Sequence, residues 1–464
     1  MASTTASTAS STSTSTSTST LPLTLTLTPC QERCFEAFKT GRSLVITGPA
    51  GCGKSFLIKH MKDYADKNNK TIAATALTGA AAALIGGVTL HSWAGIGLAK
   101  GSSLELRDNI RKKTQLRKRW EDVDILIIDE ISMMDAELFN KLHAIAQLRK
   151  AGIGMFFGGI QVVLCGDFCQ LKPVSPESEV KFCFESTIWQ QNLSEDTYYL
   201  DRVMRQTDPV FQDLLATVRL GSITASQKAL LDARMIKDDT EAELYVEMAD
   251  GSRQTIKATT LYPKKKNVEE TNATELSKLI SAGSRTQVYK CQDTCIKNSI
   301  VNAATETQIE VLDKCTNAPK EITLAIGAQV MLIKNLDFER SLVNGSRGVV
   351  MDFTATGPVI IFDNGEQETL PYEAFEVESG NKMILRRVQV PVMLAWALTI
   401  HKCQGATITN VITDLTGVFE EAQVYVTLSR ACTLDGLFIR GINYSKIKCN
   451  LKVKQYYESL HNGS

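Results

Sequence analysis

No charge of one sign dominates this sequence. Its 51 lysines and arginines are balanced by 51 aspartates and glutamates, so no net basic field indicates a polyanionic partner. A nucleic-acid groove needs only local positive charge, so the balance excludes a generally basic protein and nothing more. Hydrophobic residues make up 44% and charged residues 22% of the 464 residues. These values are typical of a globular protein, and this length is sufficient for two or three domains with separate cores.

The sequence also lacks the cysteine pattern of a zinc protein. Its 12 cysteines form no paired C-x-x-C sets, which structural zinc sites usually contain. Three pairs are spaced four residues apart without a histidine to complete a finger: Cys30 with Cys34, Cys165 with Cys169, and Cys291 with Cys295. We therefore expect reduced thiols and no metal bound by them. Reduced thiols, together with the lack of a secretory signal, predict a nuclear protein, or a cytoplasmic one if its source is viral.

Long hydrophobic runs are absent as well. The two most apolar stretches, residues 73–90 and 152–166, are interrupted by Thr, Gly and Gln, so we interpret them as core strands and turns and expect no membrane association. Residues 1–20 are almost wholly Ser, Thr and Ala, without a charged residue. Such a segment buries too little apolar surface to offset its ordering entropy. We expect residues 1–27 to form a disordered tail, without the features of a signal or transit peptide.

One glycine-rich stretch carries the strongest functional signal: Gly48-Pro49-Ala50-Gly51-Cys52-Gly53-Lys54-Ser55. It follows the apolar run 44–47 and precedes a helical pattern, which makes it a complete P-loop. Its glycines let backbone N–H groups surround a phosphate at a helix N-terminus. Lys54 is then suited to the β- and γ-phosphates of a nucleotide, and the Ser55 hydroxyl to Mg²⁺. The stretch predicts that the protein binds ATP together with Mg²⁺.

The folded region is expected to begin at Thr28, which can cap a helix with Pro29 in its first turn. Gln31 lies in that turn, 17 residues before the P-loop. A side-chain amide can both donate to and accept from the edge of adenine. We therefore include Gln31 among the candidate nucleotide-binding residues.

Two apolar runs end in acidic residues. Residues 125–128 lead into Asp129 and Glu130, and residues 162–166 lead into Asp167. The carboxyl ends of buried parallel strands are where α/β sheets place their chemistry. Asp129 is the candidate Mg²⁺ ligand, and Glu130 is the candidate base for the water that attacks ATP.

The motif at residues 129–135 (DEISMMD), followed by residues 137–142 (ELFNKL), resembles the signature of the PIF (petite integration frequency) helicases. These are RecD-like members of helicase superfamily 1. The likeness extends from about Thr28 to Leu437. It implies an α/β fold with two tandem RecA-like domains and a small SH3-like β-barrel inserted in the second. It also implies ATP-dependent movement along single-stranded DNA with 5′-to-3′ polarity, unwinding of fork or tailed duplex DNA, and a monomeric motor.

The resemblance assigns three more residues to ATP hydrolysis. Gln170 matches the γ-phosphate sensor, because an amide can bond the terminal phosphate and lose that bond when the phosphate leaves. Arg205, in residues 202–208 (RVMRQTD), and Arg430, in residues 423–431 (QVYVTLSRA), match arginine fingers. A guanidinium is permanently charged and suited to the transferring phosphate. Taken without its neighbours, Arg205 would be better explained by a surface ion pair.

Candidate DNA contacts are short polar groups and backbone near strand ends, which suit phosphates and sugars more than bases. They are Thr78, Gly79, His91, Lys172, Pro173, Thr399, His401 and Gln404. Lys172 stands where the family usually has proline, and Cys403 stands where it usually has serine. These two departures put one loop contact and one hydroxyl contact in doubt.

Several alternatives stay open at this level. Trp93 is suited to core packing or, less commonly, to base stacking. The basic run between Arg107 and Arg119 is suited to a solvated face or to phosphate contact. The predicted domains are residues 28–200, residues 201–325 with 392–464, and the insertion 326–391, with residues 98–118 as the candidate wedge.

The functional alternatives are a protein-remodelling ATPase, a non-catalytic DNA-binding module, and an RNA helicase or a translocase that does not unwind. The spacing of several helicase motifs disfavours the first alternative. The retention of Lys54, Glu130 and both arginines disfavours the second. The predicted pathways are DNA repair, recombination, replication or telomere maintenance.

Overall fold

The structure is a computed structural model that describes residues 26–97, 99–149, 152–173, 181–237, 242, 244–247, 253–297, 299–337, 340, 342–379, 383–400, 403 and 407–462. Most of the predicted tail, residues 1–25, lies outside the described residues. The candidate DNA contacts His401 and Gln404 also lie outside them. Within the described ranges, no helix has the length and apolar character needed to cross a bilayer.

The first domain is built on a parallel sheet. Its strands are β1 (Leu44–Thr47), β2 (Ile72–Ala76), β3 (Val88–Thr89), β4 (Ile125–Asp129), β5 (Gln161–Gly166) and β6 (Thr197–Tyr199), and their order in the sheet is β3-β2-β4-β5-β1-β6. Its helices are α1 (Pro29–Lys39), α2 (Lys54–Lys67), α3 (Gly79–Leu84), α4 (Leu90–Ala94), α5 (Ser103–Lys112), α6 (Thr114–Asp122), α7 (Ala136–Ala146) and α8 (Thr187–Asn192). Strands β1, β4 and β5 are buried along their whole length, as expected for central strands covered on both faces.

Local sequence explains where the first helices start. The Thr28 hydroxyl accepts from the Gln31 backbone N–H, and the Gln31 side chain accepts from the Thr28 N–H, which makes a capping box at α1. Helix α2 begins after Gly53, whose left-handed φ of 83° suits glycine. These two starts place Gln31 and the P-loop side by side.

Helices α5 and α6 form the candidate wedge region. Their buried face includes Leu106, Ile110 and Trp120, and the Trp120 ring lies 4.7 Å from the ring of Trp93. Trp93 is 7% exposed. The structure thus favours core packing over base stacking for Trp93. The basic residues 111–113, at the end of α5 and just after it, are exposed.

The chain then enters the second domain. Its first elements are α9 (Pro209–Arg219), α10 (Ala225–Asp232), β7 (Leu244–Glu247), β8 (Arg253–Ile256), β9 (Thr259–Tyr262) and α11 (Lys265–Ser281). Strands β7 and β8 form a separate antiparallel pair. Strand β9 belongs to the main sheet of this domain, which the chain completes only after a long β-rich insertion.

The insertion comprises β10 (Thr286–Lys290), β11 (Gln292–Lys297), β12 (Ile300–Ala303), α12 (Glu306–Cys315), β13 (Glu321–Ala325), β14 (Gln329–Leu332), β15 (Arg347–Phe353), β16 (Pro358–Phe362), β17 (Gln367–Thr369), β18 (Glu373–Ser379), β19 (Met383–Gln389) and β20 (Val392–Leu394). Its sheets are antiparallel, with orders β17-β16-β15-β14-β20, β12-β11-β19-β18 and β10-β13. The β-rich region therefore extends beyond the predicted limits 326–391, because β11 pairs with β19 and β20 pairs with β14. The sequence pattern did not reveal these long-range pairings.

The second domain is completed by β21 (Ala397–Thr399), β22 (Val411–Leu415), α13 (Gln423–Leu428), β23 (Leu437–Ile442) and α14 (Leu451–Asn462). The parallel sheet has the order β21-β9-β22-β23. One hydrophobic cluster includes buried residues of both domains, among them Ile128 and Val424. The predicted α/β class with two parallel sheets is confirmed, and the two domains share an extensive core contact.

Candidate nucleotide site between the two domains

The P-loop forms the turn between β1 and α2. Gly51 and Gly53 have φ values of 79° and 83°, which favour glycine. A Cβ atom added at Gly51 would lie 2.6 Å from the Cβ of Arg205, and the Gly51 carbonyl accepts a 2.8 Å bond from the Met204 N–H. The loop thus lies directly against the arginine motif of the second domain.

Lys54 lies along this loop at the start of α2. Its Nζ donates to the carbonyl oxygens of Gly48 and Pro49 at 2.8 and 2.9 Å. Burial alone would lower the pKa of Lys54, but nearby groups that include Asp167 and Glu130 raise it above its ordinary value. The ammonium is therefore charged and held where backbone N–H groups and the helix N-terminus favour an anion.

The acidic pair lies at the end of β4, with Asp129 its last residue and Glu130 directly after it. Burial raises the pKa of Asp129, whose Oδ1 accepts a 2.8 Å bond from the Glu130 N–H. Glu130 has φ 57° and ψ 42°, a left-handed conformation that costs a non-glycine residue about 1–3 kcal/mol. Backbone strain of this kind concentrates at functional sites, and here it occurs at the candidate base.

Two arginines of the second domain lie close to the P-loop and the acidic pair. Arg205 donates from Nε to the Thr407 hydroxyl at 3.0 Å and from Nη1 to the Ser429 carbonyl at 3.0 Å. Arg430 is 1% exposed and donates to the Val426 carbonyl at 2.8 Å. Burial and the Arg430 charge lower the pKa of Arg205 to about 9, so it stays protonated at neutral pH. Two cations side by side, Arg430 buried and Arg205 partly exposed, favour the binding of an anion.

These groups line one cavity of about 400 Å³. Its lining includes the P-loop, both acidic residues, the sensor glutamine and both arginines: Ala50, Gly51, Gly53, Lys54, Ser55, Phe56, Leu84, Asp129, Glu130, Gln170, Met204, Arg205, Thr407 and Arg430. The structure thus brings together every residue that the sequence predicted for catalysis. Four lining residues were not predicted: Phe56, Leu84, Met204 and Thr407. Phe56 and Met204 directly adjoin the predicted Ser55 and Arg205 in the sequence, which was an available signal for these two.

Gln31 lies against the other side of the P-loop. It is 2% exposed, and its Nε2 lies 3.4 Å from the carbonyl oxygens of Cys52 and Gly53. Its Oε1 accepts from the Thr28 N–H at 2.9 Å. Both ends of the amide therefore contact protein backbone in this structure, and Gln31 supports the loop. Its role in reading adenine stays a prediction.

A buried network that the sequence did not predict lies beside the loop after β5 that carries the candidate sensor Gln170, here called the sensor loop. Asp167 is fully buried, and the Arg219 guanidinium of α9 donates to its carboxylate, with the shortest distance 2.8 Å. Burial would raise the pKa of Asp167, but Arg219 outweighs this effect and holds it below its ordinary value. The ion pair connects the end of β5 in the first domain to α9 in the second.

Two tyrosines extend this connection to the P-loop. The Tyr457 hydroxyl, on α14, lies 2.7 Å from the Thr47 hydroxyl, accepts from the Phe168 N–H at 3.0 Å and lies 3.0 Å from Asp167 Oδ1. The Tyr425 hydroxyl accepts from the Ala50 N–H at 2.8 Å. The sequence contained a signal for Tyr425, because this residue belongs to the Arg430 motif. It contained no signal for Tyr457, because no short-range pattern indicates that α14 packs on the first domain.

The candidate DNA contacts follow the carboxyl ends of several strands. Thr78 follows β2 and its hydroxyl accepts from the Ala81 N–H at 3.2 Å, and Gly79 starts α3. Thr399 ends β21 and is 9% exposed. These residues therefore lie at the carboxyl ends of strands, as the P-loop and the acidic pair of the nucleotide site do.

His91 and Pro173 line a second cavity of about 830 Å³, together with Lys100 of the segment before α5 and Lys141 of α7. Burial lowers the pKa of His91, so the ring is neutral at pH 7. Lys172 lies apart from this cavity and lines a small one near Cys449. His91 and Pro173 thus line one cavity and Lys172 lines another, and the DNA-binding role of all the predicted contacts stays a prediction.

Comparison with known proteins gives a consistent result. A family model described as PIF1-like helicase matches residues 26–229, and one described as DNA helicase Pif1, 2B domain, matches residues 310–353. The crystal structure of Pif1 helicase from Candida albicans is 34% identical, with a TM-score of 0.75, over 94% of this chain and 100% of that one. This likeness confirms the predicted pair of RecA-like domains.

Two curated relatives complete the comparison. ATP-dependent DNA helicase PIF1 of Danio rerio is 37% identical over 93% of this chain, which spans 63% of that relative. Uncharacterized protein 030L of Invertebrate iridescent virus 6 is 30% identical over 93% of both chains. With the match to the Candida albicans structure and the nucleotide cavity described above, these similarities establish that the chain belongs to the PIF1-like helicase family.

Proposed function

We propose that this protein is an ATP-dependent DNA helicase that moves 5′-to-3′ along single-stranded DNA and unwinds duplex DNA. The observation that carries the proposal is the cavity in which Lys54 and Glu130 of the first domain meet Arg205 and Arg430 of the second. A site shared between two domains makes their relative position depend on its occupant. Family membership and the name of the Danio rerio relative support DNA as the track.

Each of the catalytic residues in the cavity has a separate role in ATP hydrolysis. Lys54 exchanges its carbonyl partners for the β- and γ-phosphates, and Glu130 accepts a proton from the attacking water. Gln170 bonds the γ-phosphate and loses this bond on its release. Arg205 and Arg430 stabilise the charge that develops on the transferring group.

The site also fits a divalent cation with a preference for oxygen. The Ser55 hydroxyl and the Asp129 carboxylate line the same cavity, and both are suitable ligands for Mg²⁺. Within the described residues, no group of three or more His, Cys, Asp or Glu side chains could hold a metal ion. Such a site suits Mg²⁺ shared with the phosphates, where the ion would offset their negative charge.

The cavity between the domains would close on ATP and open after hydrolysis. Each cycle would make the two domains bind the DNA strand tightly in turn. Contacts from short polar groups at the sheet edges would be mostly to the backbone, so we expect low sequence specificity. Monomeric action, the nuclear or viral cytoplasmic compartment and the roles in genome maintenance stay predictions.

The test is ATP hydrolysis by the purified protein with no nucleic acid, with single-stranded DNA and with single-stranded RNA. We expect strong stimulation by DNA that is lost in Lys54→Ala and Glu130→Gln. Arg205→Ala is expected to lower kcat by roughly 10³-fold or more, with a smaller change in KM. Arg202→Ala is the matched control, because Arg202 is exposed and belongs to the same motif.

Two results would contradict the proposal. Hydrolysis indifferent to nucleic acid would favour a protein-remodelling ATPase, and stimulation by RNA alone would favour an RNA helicase. Polarity is tested with duplexes that carry a 5′ or a 3′ single-stranded tail. Unwinding of only the 5′-tailed duplex supports 5′-to-3′ movement, and stimulated hydrolysis without unwinding of either duplex indicates a translocase.

A further inference from the structure

A thiol pair lies outside the nucleotide cavity. Cys169 and Cys449 are 280 residues apart in the sequence, yet their sulfur atoms are 3.9 Å apart. Neither thiol has a role in the hydrolysis proposed above. Both cysteines are reduced in this structure, and their proximity results entirely from the packing of the C-terminal segment on the sensor loop.

The first thiol is part of the sensor loop. Cys169 immediately precedes Gln170 and is 4% exposed. Its N–H donates to Asp167 Oδ1 at 3.1 Å, so its backbone is fixed by the buried ion pair of Asp167 with Arg219. A displacement of Cys169 would therefore be transmitted to both the sensor and the ion pair.

The second thiol belongs to the segment that leads into α14. Cys449 is partly exposed, and a Cβ atom added at Gly221, just after α9, would collide with its backbone. The thiols of Cys169 and Cys449 also border a small cavity lined by Lys172 and Asn450. Cys449 thus lies where the sensor loop, the end of α9 and the start of α14 meet, in a partly exposed position.

The two thiols differ in reactivity. The hydrogen bond with Cys169 lowers the pKa of Cys449 against the opposing effect of burial, and Arg219 contributes to the same decrease. Burial raises the pKa of Cys169 well above its usual value. A partly exposed thiol with a lowered pKa beside a buried thiol with a raised one resembles the arrangement of a reactive cysteine with a resolving cysteine.

We propose that Cys169 and Cys449 form an oxidation site that takes a hydroperoxide and closes to a disulfide. The Cys449 thiolate attacks one peroxide oxygen, the O–O bond breaks, and the protein gains a sulfenic acid while hydroxide leaves. The Cys169 sulfur then attacks the sulfenic sulfur, loses its proton and displaces the hydroxyl group as water. In total, two thiols and one hydrogen peroxide give one disulfide and two water molecules.

The disulfide would join the sensor loop of the first domain to the chain beside α9 of the second. It would restrict Gln170 and the relative movement of the domains, so it would lower ATP turnover until a thiol reductant reopened it. This consequence for turnover rests on the proposed function. Formation of the bond itself does not, because it needs only the two thiols and the oxidant.

The test uses the full-length protein, hydrogen peroxide and mass spectrometry after digestion without reductant. We expect one cross-linked peptide pair that contains Cys169 and Cys449, with a mass two hydrogens below the sum of the peptides. DNA-stimulated hydrolysis is expected to fall by roughly fivefold or more and to recover with dithiothreitol. Cys449→Ser should abolish both effects, whereas Cys291→Ser, which changes another partly exposed cysteine, should retain them.

The outcomes separate the two proposals. Oxidation of Cys449 to sulfinic acid without a cross-link, or a cross-link that joins other cysteines, would overturn the thiol-pair proposal. A Cys169–Cys449 cross-link with unchanged hydrolysis would overturn its effect on turnover. An unoxidised protein without DNA-stimulated hydrolysis would count against the helicase proposal, while the mass spectrum would still decide whether the disulfide forms.

Discussion

Two residues at the nucleotide cavity have left-handed backbone conformations, which most residues other than glycine disfavour. Glu130 has a left-handed backbone, and Gly51 combines a φ of 79° with close contact to Arg205. In the first case the strain orients a candidate base. In the second, the absence of a side chain lets the P-loop and the arginine motif approach each other.

Gly51→Ala tests this approach. A left-handed alanine costs about 1–2 kcal/mol, and its Cβ would also displace Arg205. We expect ATP hydrolysis to fall by about 10²-fold, as misplacement of a catalytic group by about 1 Å can produce. Steady-state kinetics measures the activity, and urea denaturation measures the stability.

Gly283→Ala is the control for Gly51→Ala. Gly283 has a φ of 84° but no heavy atom within 4 Å of an added Cβ, so it reproduces the backbone strain without the collision. Its hydrolysis should equal that of the wild type. Equal activity of the two variants would show that contact with Arg205 has no catalytic importance.

At the scale of secondary-structure elements, the end of β5 is held by α9 and α14. The Asp167–Arg219 pair connects β5 to α9, and the Tyr457 hydroxyl connects α14 to β1 and to the loop after β5. Both connections cross between the domains and lie next to Gln170. We therefore expect them to affect stability and sensor position together.

Asp167→Asn is expected to lower the free energy of unfolding at pH 7 by about 3–5 kcal/mol, because it leaves Arg219 buried without its counter-charge. Since the pKa of Asp167 is lowered in the folded state, its stabilisation is complete above the unfolded value of about 3.9 and is lost as pH falls below it. Urea denaturation of both proteins from pH 7 downwards measures this. The difference should be constant until about pH 4 and then shrink; a difference that is absent at pH 7 would contradict the prediction.

Tyr457→Phe removes a hydroxyl that contacts three buried groups. We expect a loss of about 1–3 kcal/mol in the free energy of unfolding, because the Phe168 N–H and Asp167 lose a partner. Tyr444→Phe is the matched control, since its hydroxyl bonds Asp232 in a more exposed position. Denaturant unfolding compares the two variants, and equal losses would argue against a special role for α14.

At the scale of the whole molecule, the nucleotide cavity lies between two domains that also share a hydrophobic cluster. A ligand of this cavity contacts both domains and binds only when both are folded. Ligand binding should therefore stabilise the domains as one unit.

We expect a non-hydrolysable ATP analogue with Mg²⁺ to raise the Tm of the protein. The stabilisation should reach about 2.7 kcal/mol at 100 times Kd. Lys54→Ala should remove most of the shift, and Arg430→Ala should reduce it from the opposite domain. Thermal denaturation followed by circular dichroism measures this, and a full shift in Arg430→Ala would contradict a site shared between the domains.

Local sequence patterns determined many of the structural elements that form the candidate site. The P-loop, the strands that end at Asp129 and Gly166, and the capping box at Thr28 are encoded within a few neighbouring residues. Their backbone conformations follow from glycine, burial and capping. The predicted catalytic residues could thus be identified, and the structure brings them together, although their roles stay predictions.

Tertiary structure alone decided what depends on distant contacts. The wider limits of the β-rich insertion, the Asp167–Arg219–Tyr457 network and the proximity of Cys169 to Cys449 all join segments from 52 to 290 residues apart. Sequence periodicity reports the face that an element buries but not its partner. Partners are selected by packing and by the pairing of buried charges, which exist only once the chain has folded.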